Sequence, residues 1–307
     1  MTTALFTHTD CLDHLTPQGH PEQVARLSHV LAALEGRDLM RAEAPLASED
    51  DLRLCHPQSH IDRVRAAVPD EGVVQLDADT WMSPGSLDAA LRGVGGALAA
   101  VDAVLGGQAG NAFVATRPPG HHAETERTMG FCLFGTVAIA ARHAMERHGL
   151  SRVAVVDFDV HHGNGTQDLL WSEARSLFVS SHQSPLWPGT GTPDETGAHG
   201  NVLNLPLAPR SDGAVFRAAY EAQVFPAIEA FAPELILISA GFDAHHADPL
   251  AELNLTEADF EWVTGRLCDL AQAHCGGRVV SCLEGGYDLQ ALAASAAAHV
   301  DVLIARG

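Results

Sequence analysis

The sequence has few basic residues. Its 18 basic residues, all of them arginines, are outnumbered by 39 aspartates and glutamates, which gives a formal net charge of −21. A chain this acidic repels phosphate groups, so direct binding to DNA or RNA is not expected. The charge is compatible with a cationic substrate, but a highly soluble acidic surface explains it more simply.

The sequence also lacks paired cysteines, a signal peptide and long uncharged apolar segments. No two of its six cysteines form a C-x-x-C pair, so we expect reduced thiols in a cytosolic protein. The first eight residues have neither the basic nor the apolar region of a signal peptide. The most apolar helical stretch, 87–105, contains charged residues and predicts a packed helix rather than a membrane span. A cytoplasmic protein without membrane association is therefore expected.

The chain has 307 residues, of which 46% are apolar, and it contains no repeat, low-complexity tract or linker. These features predict a single domain over residues 1–307. Helical patterns alternate with short runs that are apolar nearly throughout, as strands buried on both faces are. The fold is therefore predicted to be α/β, with a mostly parallel central sheet and helices on both faces. The predicted helices cover 22–34, 57–68, 84–105, 130–148, 212–230, 256–273 and 288–304, and the predicted strands 112–115, 152–156, 176–179, 235–239 and 278–283.

The ionisable residues are concentrated directly after four of these predicted strands. The segments concerned are 117–122, 157–162, the region around Asp243, and 284–287. In open α/β sheets the ligand site lies beyond the carboxyl ends of the strands, so four separate segments should meet in one place. The chain has 18 histidines, which is many for its length, and their clustering suggests metal chemistry.

The segment after the second of these strands predicts half of a metal site. Asp157, Asp159 and His161 alternate as the chain leaves the strand, so their side chains should project to one side. Gly163 and Gly165 allow a tight turn into the next helix. A solvated polar turn is the alternative, but buried strand ends rarely carry so many ionisable groups.

A catalytic zinc ion usually has three protein ligands and one open position, so a third ligand is needed. Asp243 is well placed after its strand, and the competing candidates in the same segment are Asp248, His245 and His246. A helix cap in a polar loop would explain this segment about equally well. Two carboxylates and an imidazole suit zinc but also iron(II), cobalt or manganese.

Two further segments supply candidate catalytic groups. His121 and His122 follow two prolines and a glycine in a stiff loop, where consecutive side chains should point apart. We therefore do not expect both histidines to bind one metal ion, and proton transfer is the better role for them. Tyr287 ends the motif Glu-Gly-Gly-Tyr, where its hydroxyl could donate to a developing oxyanion. Taken alone, either motif could be a polar or aromatic loop.

Together these segments resemble the arginase/deacetylase superfamily, and within it the zinc-dependent histone deacetylases and acetylpolyamine amidohydrolases. The resemblance extends over most of the chain, from Gly19-His-Pro-Glu22 to Tyr287. It is similar to the class II branch in the motifs Gly130-Phe-Cys, Pro188-Gly-Thr-Gly191 and Glu284-Gly-Gly-Tyr287. The family's three-layer fold, with a mostly parallel sheet, agrees with the pattern of predicted elements.

The resemblance implies specific roles for individual residues. It implies zinc ligands at Asp159, His161 and Asp243. It implies a proton-transfer pair at His121 and His122, oriented by Asp157 and Asn164 respectively, and a carbonyl-polarising hydroxyl at Tyr287. It implies a structural potassium ion bound by Asp157, Asp159, His161, Ser180 and Ser181, mostly through backbone oxygens. It implies an acyl-lysine tunnel lined by Gly130, Phe131, Trp187 and Leu250, and an inner channel near Arg26.

The two histidines should differ in how readily they are protonated, because their implied partners differ. His122 is paired with a neutral amide and should be the more readily neutral, and so the base. His121 is held by a carboxylate and should favour the imidazolium form. Family accounts divide the acid and base roles differently, so the assignment stays open at this point.

The chain departs from the family pattern at three places, and two of them bear on the substrate. Gly135-Thr136 stands where the family often has asparagine, and we expect that position to pack behind the site. Trp187 replaces a common phenylalanine and would reshape the tunnel. Leu250 stands where polyamine-selective relatives can carry an acidic residue, so acyl-lysine-type substrates are favoured.

The predicted function is therefore zinc-dependent removal of acetyl or acyl groups from acyl-lysine-type amides. An acetylpolyamine or other small-molecule amide deacetylase is the enzymatic alternative, since a fold does not specify a substrate. An arginase-like enzyme with two metal ions is also conceivable. An inactive acyl-lysine-binding module would require damage to the metal ligands or the tyrosine, and the sequence has none. The acyl length, the metal used in the cell and homo-oligomerisation stay open.

Overall fold

The computed structural model describes residues 2–307. Ten strands are found: β1 (Thr3–Thr7), β2 (Met40–Glu43), β3 (Val74–Gln75), β4 (Trp81–Met82), β5 (Asn111–Val114), β6 (Val153–Asp157), β7 (Ser176–Gln183), β8 (Val202–Leu207), β9 (Leu235–Ala240) and β10 (Val279–Leu283). Eight of them form one sheet in the order β2-β1-β5-β10-β9-β6-β7-β8, and every pairing in it is parallel. The other two, β3 and β4, form a small antiparallel pair.

Helices cover both faces of the sheet. They are α1 (Val24–Ala33), α2 (Glu49–Leu52), α3 (Gln58–Ala66), α4 (Ser86–Leu105), α5 (Thr136–His148), α6 (Asn164–Leu170), α7 (Gly213–Ala219), α8 (Phe225–Phe231), α9 (Glu257–Cys275) and α10 (Leu289–Arg306). One buried core contains residues of α1, α9 and α10, and the other contains residues of α4 and α5. The predicted α/β architecture with helices on both faces is confirmed. No helix within residues 2–307 combines the length and hydrophobicity needed to cross a bilayer.

The five predicted strands correspond to β5, β6, β7, β9 and β10, but three strands of the sheet were not predicted. Strands β2 and β8 lie at the two edges, where one side of the backbone needs no partner. Half of the residues in β2 are exposed, and β8 contains Pro206, which argues against a strand except at an edge. Strand β1 has only five residues and a polar residue at each end, so its sequence pattern is weak.

The predicted helix over 130–148 was wrong at its start. Residues 130–135 form a loop, and α5 begins at Thr136. Gly130 and Phe131 have φ values of 56° and 69°, which lie in the left-handed region and are incompatible with an α-helix. The predicted helix over 212–230 is interrupted by a π-helical turn, Tyr220–Val224, which joins α7 to α8.

The sheet order brings the chemistry-bearing loops together. The four segments singled out in the sequence follow β5, β10, β9 and β6, which are consecutive neighbours in the centre of the sheet. Because all strands are parallel, their carboxyl ends share one edge. In the register, Asp157 at the end of β6 pairs with Ser180 of β7 and Ser239 of β9. The alternation of strands and helices thus places four separate loops around one point.

Close contact between α4 and the loop after β2 depends on a glycine. A Cβ atom at Gly95 would overlap the carbonyl oxygen of Pro45 and lie 2.8 Å from the amide nitrogen of Ala47. Gly93, two residues earlier in the same helix, has its nearest neighbour, Thr116 Oγ1, at 3.5 Å, which is ordinary van der Waals contact.

We predict that Gly95→Ala lowers the free energy of unfolding by about 1–3 kcal/mol, because backbone atoms must shift to admit the methyl group. The control Gly93→Ala should be neutral or stabilising by up to about 1 kcal/mol, since alanine is the better helix former. Chemical denaturation of both variants measures the difference. Equal stabilities for the two variants would contradict this account of the helix–loop contact.

Candidate active site

Three buried side chains form a group of potential metal ligands at the edge where the central strands end. Asp159 and His161 follow β6 and Asp243 follows β9, and one ligand atom from each lies within 4.8 Å of the others. His161 Nδ1 is 3.1 Å from Asp159 Oδ1 and 3.0 Å from Asp243 Oδ2. The structure therefore joins the two halves of the site that were inferred from separate segments.

The competing candidates after β9 lie outside this group. Asp248 accepts hydrogen bonds from backbone N–H groups, including that of Tyr287 at 2.6 Å. The rings of His245 and His246 contact each other at an angle of 34° with centroids 4.3 Å apart, and His245 Nε2 lies 3.5 Å from a carboxylate oxygen of Glu257. Asp243 is thus the residue of this segment that faces the end of β6.

Backbone groups orient both carboxylates. The amide of His161 donates to Asp159 Oδ1 at 2.9 Å, and the amide of Gly285 donates to Asp159 Oδ2 at 2.8 Å. The amide of Val160 donates to Asp243 Oδ1 at 2.9 Å. Gly285 must lack a side chain because a Cβ atom there would overlap both carboxylates. The ligand group is therefore held by the main chain rather than by mobile side chains.

The chemistry of this donor set suits a divalent cation. The group contains two buried carboxylates and one imidazole, and burying such charge without compensation is costly. Although burial favours a neutral imidazole, the hydrogen bonds to Asp159 and Asp243 raise the pKa of His161 to about 10. The two carboxylates thus attract positive charge strongly, and a metal ion would take the place of the proton. Three such ligands fit a zinc site with an open position.

A second group of potential ligands lies on the surface between α4 and α5. His143 Nε2 and His148 Nε2 each lie 2.7 Å from the same oxygen, Asp102 Oδ1. Ligand atoms about 2.0–2.1 Å from a zinc ion would be separated by roughly 3.3 Å, so these short distances are typical of hydrogen bonds. The Asp102 side chain is 53% exposed. We interpret the group as a hydrogen-bonded cluster that joins the two helices.

The tandem histidines lie next to the ligand group. His121 Nδ1 is 2.9 Å from Asp157 Oδ2, and His122 Nδ1 is 2.7 Å from Asn164 Oδ1. The expectation that their side chains point apart was wrong: the ring centroids are 3.9 Å apart at an angle of 41°. The reason is a tight turn, in which the amide of Ala123 donates to the carbonyl of Gly120, rather than an extended loop. Both rings therefore project to the same side.

The surroundings drive the pKa values of the two histidines in opposite directions. Burial favours the neutral form of both rings. At His121 the nearby carboxylates of Asp159 and Asp157 outweigh burial and raise the pKa well above its ordinary value. At His122 burial is reinforced by the neighbouring imidazoles of His121 and His161, so the pKa falls well below its ordinary value. The pair therefore combines a ring that favours the imidazolium form with a ring that favours the neutral form.

Tyr287 is oriented towards the same site by a buried arginine. The Arg26 guanidinium lies 4.8 Å from the centre of the Tyr287 ring and donates to the carbonyls of Gly286, at 2.6 Å, and Glu284, at 2.5 Å. Burial raises the pKa of Tyr287 well above its ordinary value, although Arg26 opposes the shift. The phenol therefore stays protonated and can donate a hydrogen bond.

A cavity of about 180 Å³ opens onto these groups. It is lined by His122, His161 and Tyr287, by all four predicted tunnel residues (Gly130, Phe131, Trp187 and Leu250), and by Asp79 and Leu186. The Trp187 ring meets that of His122 edge to face, with centroids 4.7 Å apart. The walls are mainly apolar and the floor carries the ionisable groups.

Asp79 and Leu186 were not identified from the sequence as lining residues. Asp79 Oδ1 accepts from the amide of Gly130 at 3.0 Å, and the side chain so forms part of the wall. Leu186 adjoins Trp187. Adjacency to the predicted lining residue Trp187 was therefore the signal that could have identified Leu186.

The residues implied for potassium lie at the ends of β6 and β7. Ser181 Oγ donates to the carbonyl oxygen of Asp157 at 3.4 Å and lies 2.8 Å from the hydroxyl of Tyr220. Ser180 Oγ is 3.0 Å from His182 Nδ1. These serines are buried beside the strand that leads to the metal ligands, and their role in binding potassium stays a prediction.

Two buried carboxylates that support the site had no predicted role. Glu284 accepts hydrogen bonds from the amides of Gly120, at 2.7 Å, and His121, at 3.2 Å. Glu22 accepts from Arg117 Nη2 at 2.6 Å and from Arg26 Nη1 at 3.1 Å. Both residues belong to the motifs quoted in the sequence analysis. Their roles were not predicted because a carboxylate that binds a backbone amide or an arginine has no characteristic sequence spacing.

Comparisons with known proteins agree with this geometry. Residues 20–303 match the family described as the histone deacetylase domain. A histone deacetylase-like amidohydrolase of Pseudomonas aeruginosa is 42% identical over 273 residues, covering 87% of this chain and 71% of that protein. Histone deacetylase 10, chloroplastic, of Oryza sativa is 39% identical over 316 residues, covering 95% of this chain and 71% of that protein.

A solved structure shares the fold. The crystal structure of the HDA15 HD domain superposes with a TM-score of 0.93 and 33% sequence identity, covering 99% of this chain and 88% of that one. The family match spans the strand-end loops that carry the ligand group, the tandem histidines and the tyrosine. This chain therefore belongs to the histone deacetylase family.

Proposed function

We propose that the protein is a zinc-dependent amidohydrolase that removes acetyl or acyl groups from acyl-lysine-type amides. The observation that carries the proposal is the meeting of a buried two-carboxylate, one-imidazole group with a histidine pair and a tyrosine at the floor of one apolar cavity. Membership of the histone deacetylase family supports a deacetylase activity independently. We further propose that residues 1–307 act as one catalytic domain in the cytoplasm.

In this proposal Asp159, His161 and Asp243 hold the zinc ion. When bound, zinc supplies a Lewis acid that polarises the acyl carbonyl and acidifies a water molecule. We also infer a structural potassium ion at the ends of β6 and β7, held largely by backbone oxygens near Asp157 and Ser180. The backbone hydrogen bonds to the two zinc-binding carboxylates support a ligand group that is formed before metal binding.

The proton-transfer roles follow from the hydrogen-bond partners. His122 Nδ1 faces the amide oxygen of Asn164, which holds a proton on Nδ1 and leaves Nε2 as the free base. His122 Nε2 would accept a proton from the attacking water, and the histidine pair would return one to the departing amine. Asp157 stabilises the imidazolium form of His121. Tyr287 would donate its hydroxyl proton in a hydrogen bond to the developing oxyanion.

The cavity walls favour a linear apolar segment that carries the acyl amide to the floor. Phe131 and Trp187 provide aromatic walls, and Leu250 offers no charge to a second ammonium group. These features support an acyl-lysine carrier. The carboxylate of Asp79 is the observation that favours the alternative, an acylated polyamine, because it brings negative charge to the cavity wall. Its hydrogen bond to the amide of Gly130 occupies one oxygen and reduces this attraction.

Removal of zinc should abolish amide hydrolysis. We expect a chelator-treated protein to lose turnover of an acetyl-lysine peptide and to recover it on addition of one equivalent of zinc per chain, measured as acetate release. Asp243→Ala, which removes one of three ligands, should not recover at that zinc concentration. If the zinc-loaded protein turns over no acyl amine but still binds acyl-lysine peptides, a binding module is the better description. Two metal ions per site would instead support an arginase-like enzyme.

The amine carrier should be lysine-like rather than polyamine-like. We expect a higher kcat/KM for an acetyl-lysine peptide than for acetylputrescine or acetylspermidine, because the apolar Leu250 cannot pair with a second ammonium. Kinetics on all three substrates, each also with longer acyl chains, measure this preference. A hundredfold preference for a polyamine would reverse the assignment and make Asp79 the recognition residue.

The partner of His122 should set the acidic limit of activity. Replacing the neutral amide in Asn164→Asp puts a carboxylate beside the ring, which stabilises the imidazolium and raises the pKa of His122. Because the base must be neutral, activity is lost as pH falls through that pKa. The acidic limb of kcat/KM should therefore move to higher pH, by about 1–3 units. An unchanged limb in a zinc-loaded variant would indicate that His122 is not the base.

A further inference from the structure

The carboxylate of Asp248 binds three backbone amides next to the catalytic groups. Asp248 Oδ2 accepts from the amide of Tyr287 at 2.6 Å and from that of Asp288 at 3.3 Å. Its other oxygen, Oδ1, accepts from the amide of Leu250 at 3.0 Å. Only 7% of the residue is exposed, so these N–H groups are its partners in place of water. The side chain therefore connects the turn that carries Tyr287 to a wall of the cavity.

The turn that carries Tyr287 needs such an anchor. Tyr287 follows two consecutive glycines, and Gly286 has a φ of 119°, a conformation that side-chain-bearing residues rarely adopt. A Gly-Gly segment has many accessible backbone conformations, so its geometry must be imposed by neighbouring groups. Arg26 binds the carbonyl of Gly286 on one side of this peptide unit, and Asp248 binds the amide of Tyr287 on the other.

Asp248 also fixes the start of the next helix. Asp288 is the N-cap of α10 and accepts from the amides of Gln290, at 3.1 Å, and Ala291, at 2.8 Å. Through the amide of Asp288, the Asp248 carboxylate ties this cap to the loop after β9. Tyr287 is thus held between a rigid helix start and the segment that ends in Leu250.

We propose that Asp248 is a positioning residue. It sets the location of the Tyr287 hydroxyl relative to the ligand group and to the cavity wall at Leu250. The proposal rests on the proposed function, in which Tyr287 donates to the oxyanion. Asp248 is not among the residues that line the cavity. Its effect on the reaction must therefore pass through Tyr287, and this property distinguishes it from a residue that only stabilises the fold.

A double-mutant cycle tests whether the effect passes through Tyr287. Asp248→Asn keeps the shape of the side chain but replaces one acceptor oxygen with a donor that opposes a backbone N–H. We expect it to lower kcat on the order of 10- to 100-fold, with KM nearly unchanged, because a displacement of about 1 Å at a catalytic group costs about this much. Tyr287→Phe alone should lower kcat by about 10²–10³-fold. In the Tyr287→Phe background, Asp248→Asn should cause little further loss, within about twofold.

The matched control is Asp259→Asn. Asp259 is a similarly buried carboxylate that accepts from a backbone amide at a helix start, that of Thr256 at 2.9 Å, but it lies at α9 and binds Arg217. Its replacement should lower stability without a selective loss of kcat. Zinc content and melting temperature are measured for every variant, so that metal loss and unfolding are separated from misplacement of Tyr287.

A second measurement does not require activity. The chain has two tyrosines, Tyr220 and Tyr287, so 3-fluorotyrosine labelling gives two ¹⁹F resonances that Tyr287→Phe assigns. Asp248→Asn should shift or broaden the Tyr287 resonance and leave that of Tyr220 unchanged. Asp259→Asn should leave the Tyr287 resonance unchanged.

Three outcomes would overturn the proposal. These are an equal loss of kcat in the wild-type and Tyr287→Phe backgrounds, a loss of zinc in Asp248→Asn, and an unchanged Tyr287 resonance in that variant. Failure of the proposed function has a different signature, because the zinc-loaded wild type would then be inactive while the Asp248→Asn variant would still move the Tyr287 resonance.

Discussion

The constraint on which the structure depends is the burial of several carboxylates at the carboxyl edge of one parallel sheet. Asp157, Asp159, Asp243 and Glu284 are all at most 1% exposed and lie after neighbouring strands. Such charges are tolerated only when they are hydrogen-bonded and compensated by positive charge. Backbone amides and the imidazoles of His121 and His161, whose pKa values are raised by these carboxylates, provide this compensation. The arrangement of the site therefore follows from the need to compensate these buried negative charges.

A second buried network connects this edge to the N-terminal loop. Glu22 binds both Arg26 and Arg117, and all three side chains are at most 1% exposed. Arg117 also donates to the carbonyls of Cys11, at 3.0 Å, and His14, at 2.6 Å. Because Arg26 lies in α1 and also donates to the turn before Tyr287, the network links α1 to the floor of the cavity. An isolated ion pair on the surface could not do this, since water would screen it.

The sequence was most informative where local pattern and burial coincide. Strands β5, β6, β7, β9 and β10 are apolar nearly throughout because both faces are covered, and this pattern identified them. Edge strands such as β8, with its proline, do not have that pattern because one side needs no partner. The start of α5 was misplaced for a related reason: the left-handed conformation of Phe131 is imposed by the site and not by local propensity.

The sequence by itself determined the α/β architecture, the four strand-end segments and the residue types of the ligand group, because these depend on periodicity and on the chemistry of short motifs. Only the tertiary structure shows that Asp243, and not its neighbours Asp248, His245 and His246, faces Asp159 and His161, since these candidates lie within five residues and differ in direction. It also decided that the rings of His121 and His122 lie side by side, and that Asp79 lines the cavity. Direction and long-range proximity depend on packing, which no local spacing specifies.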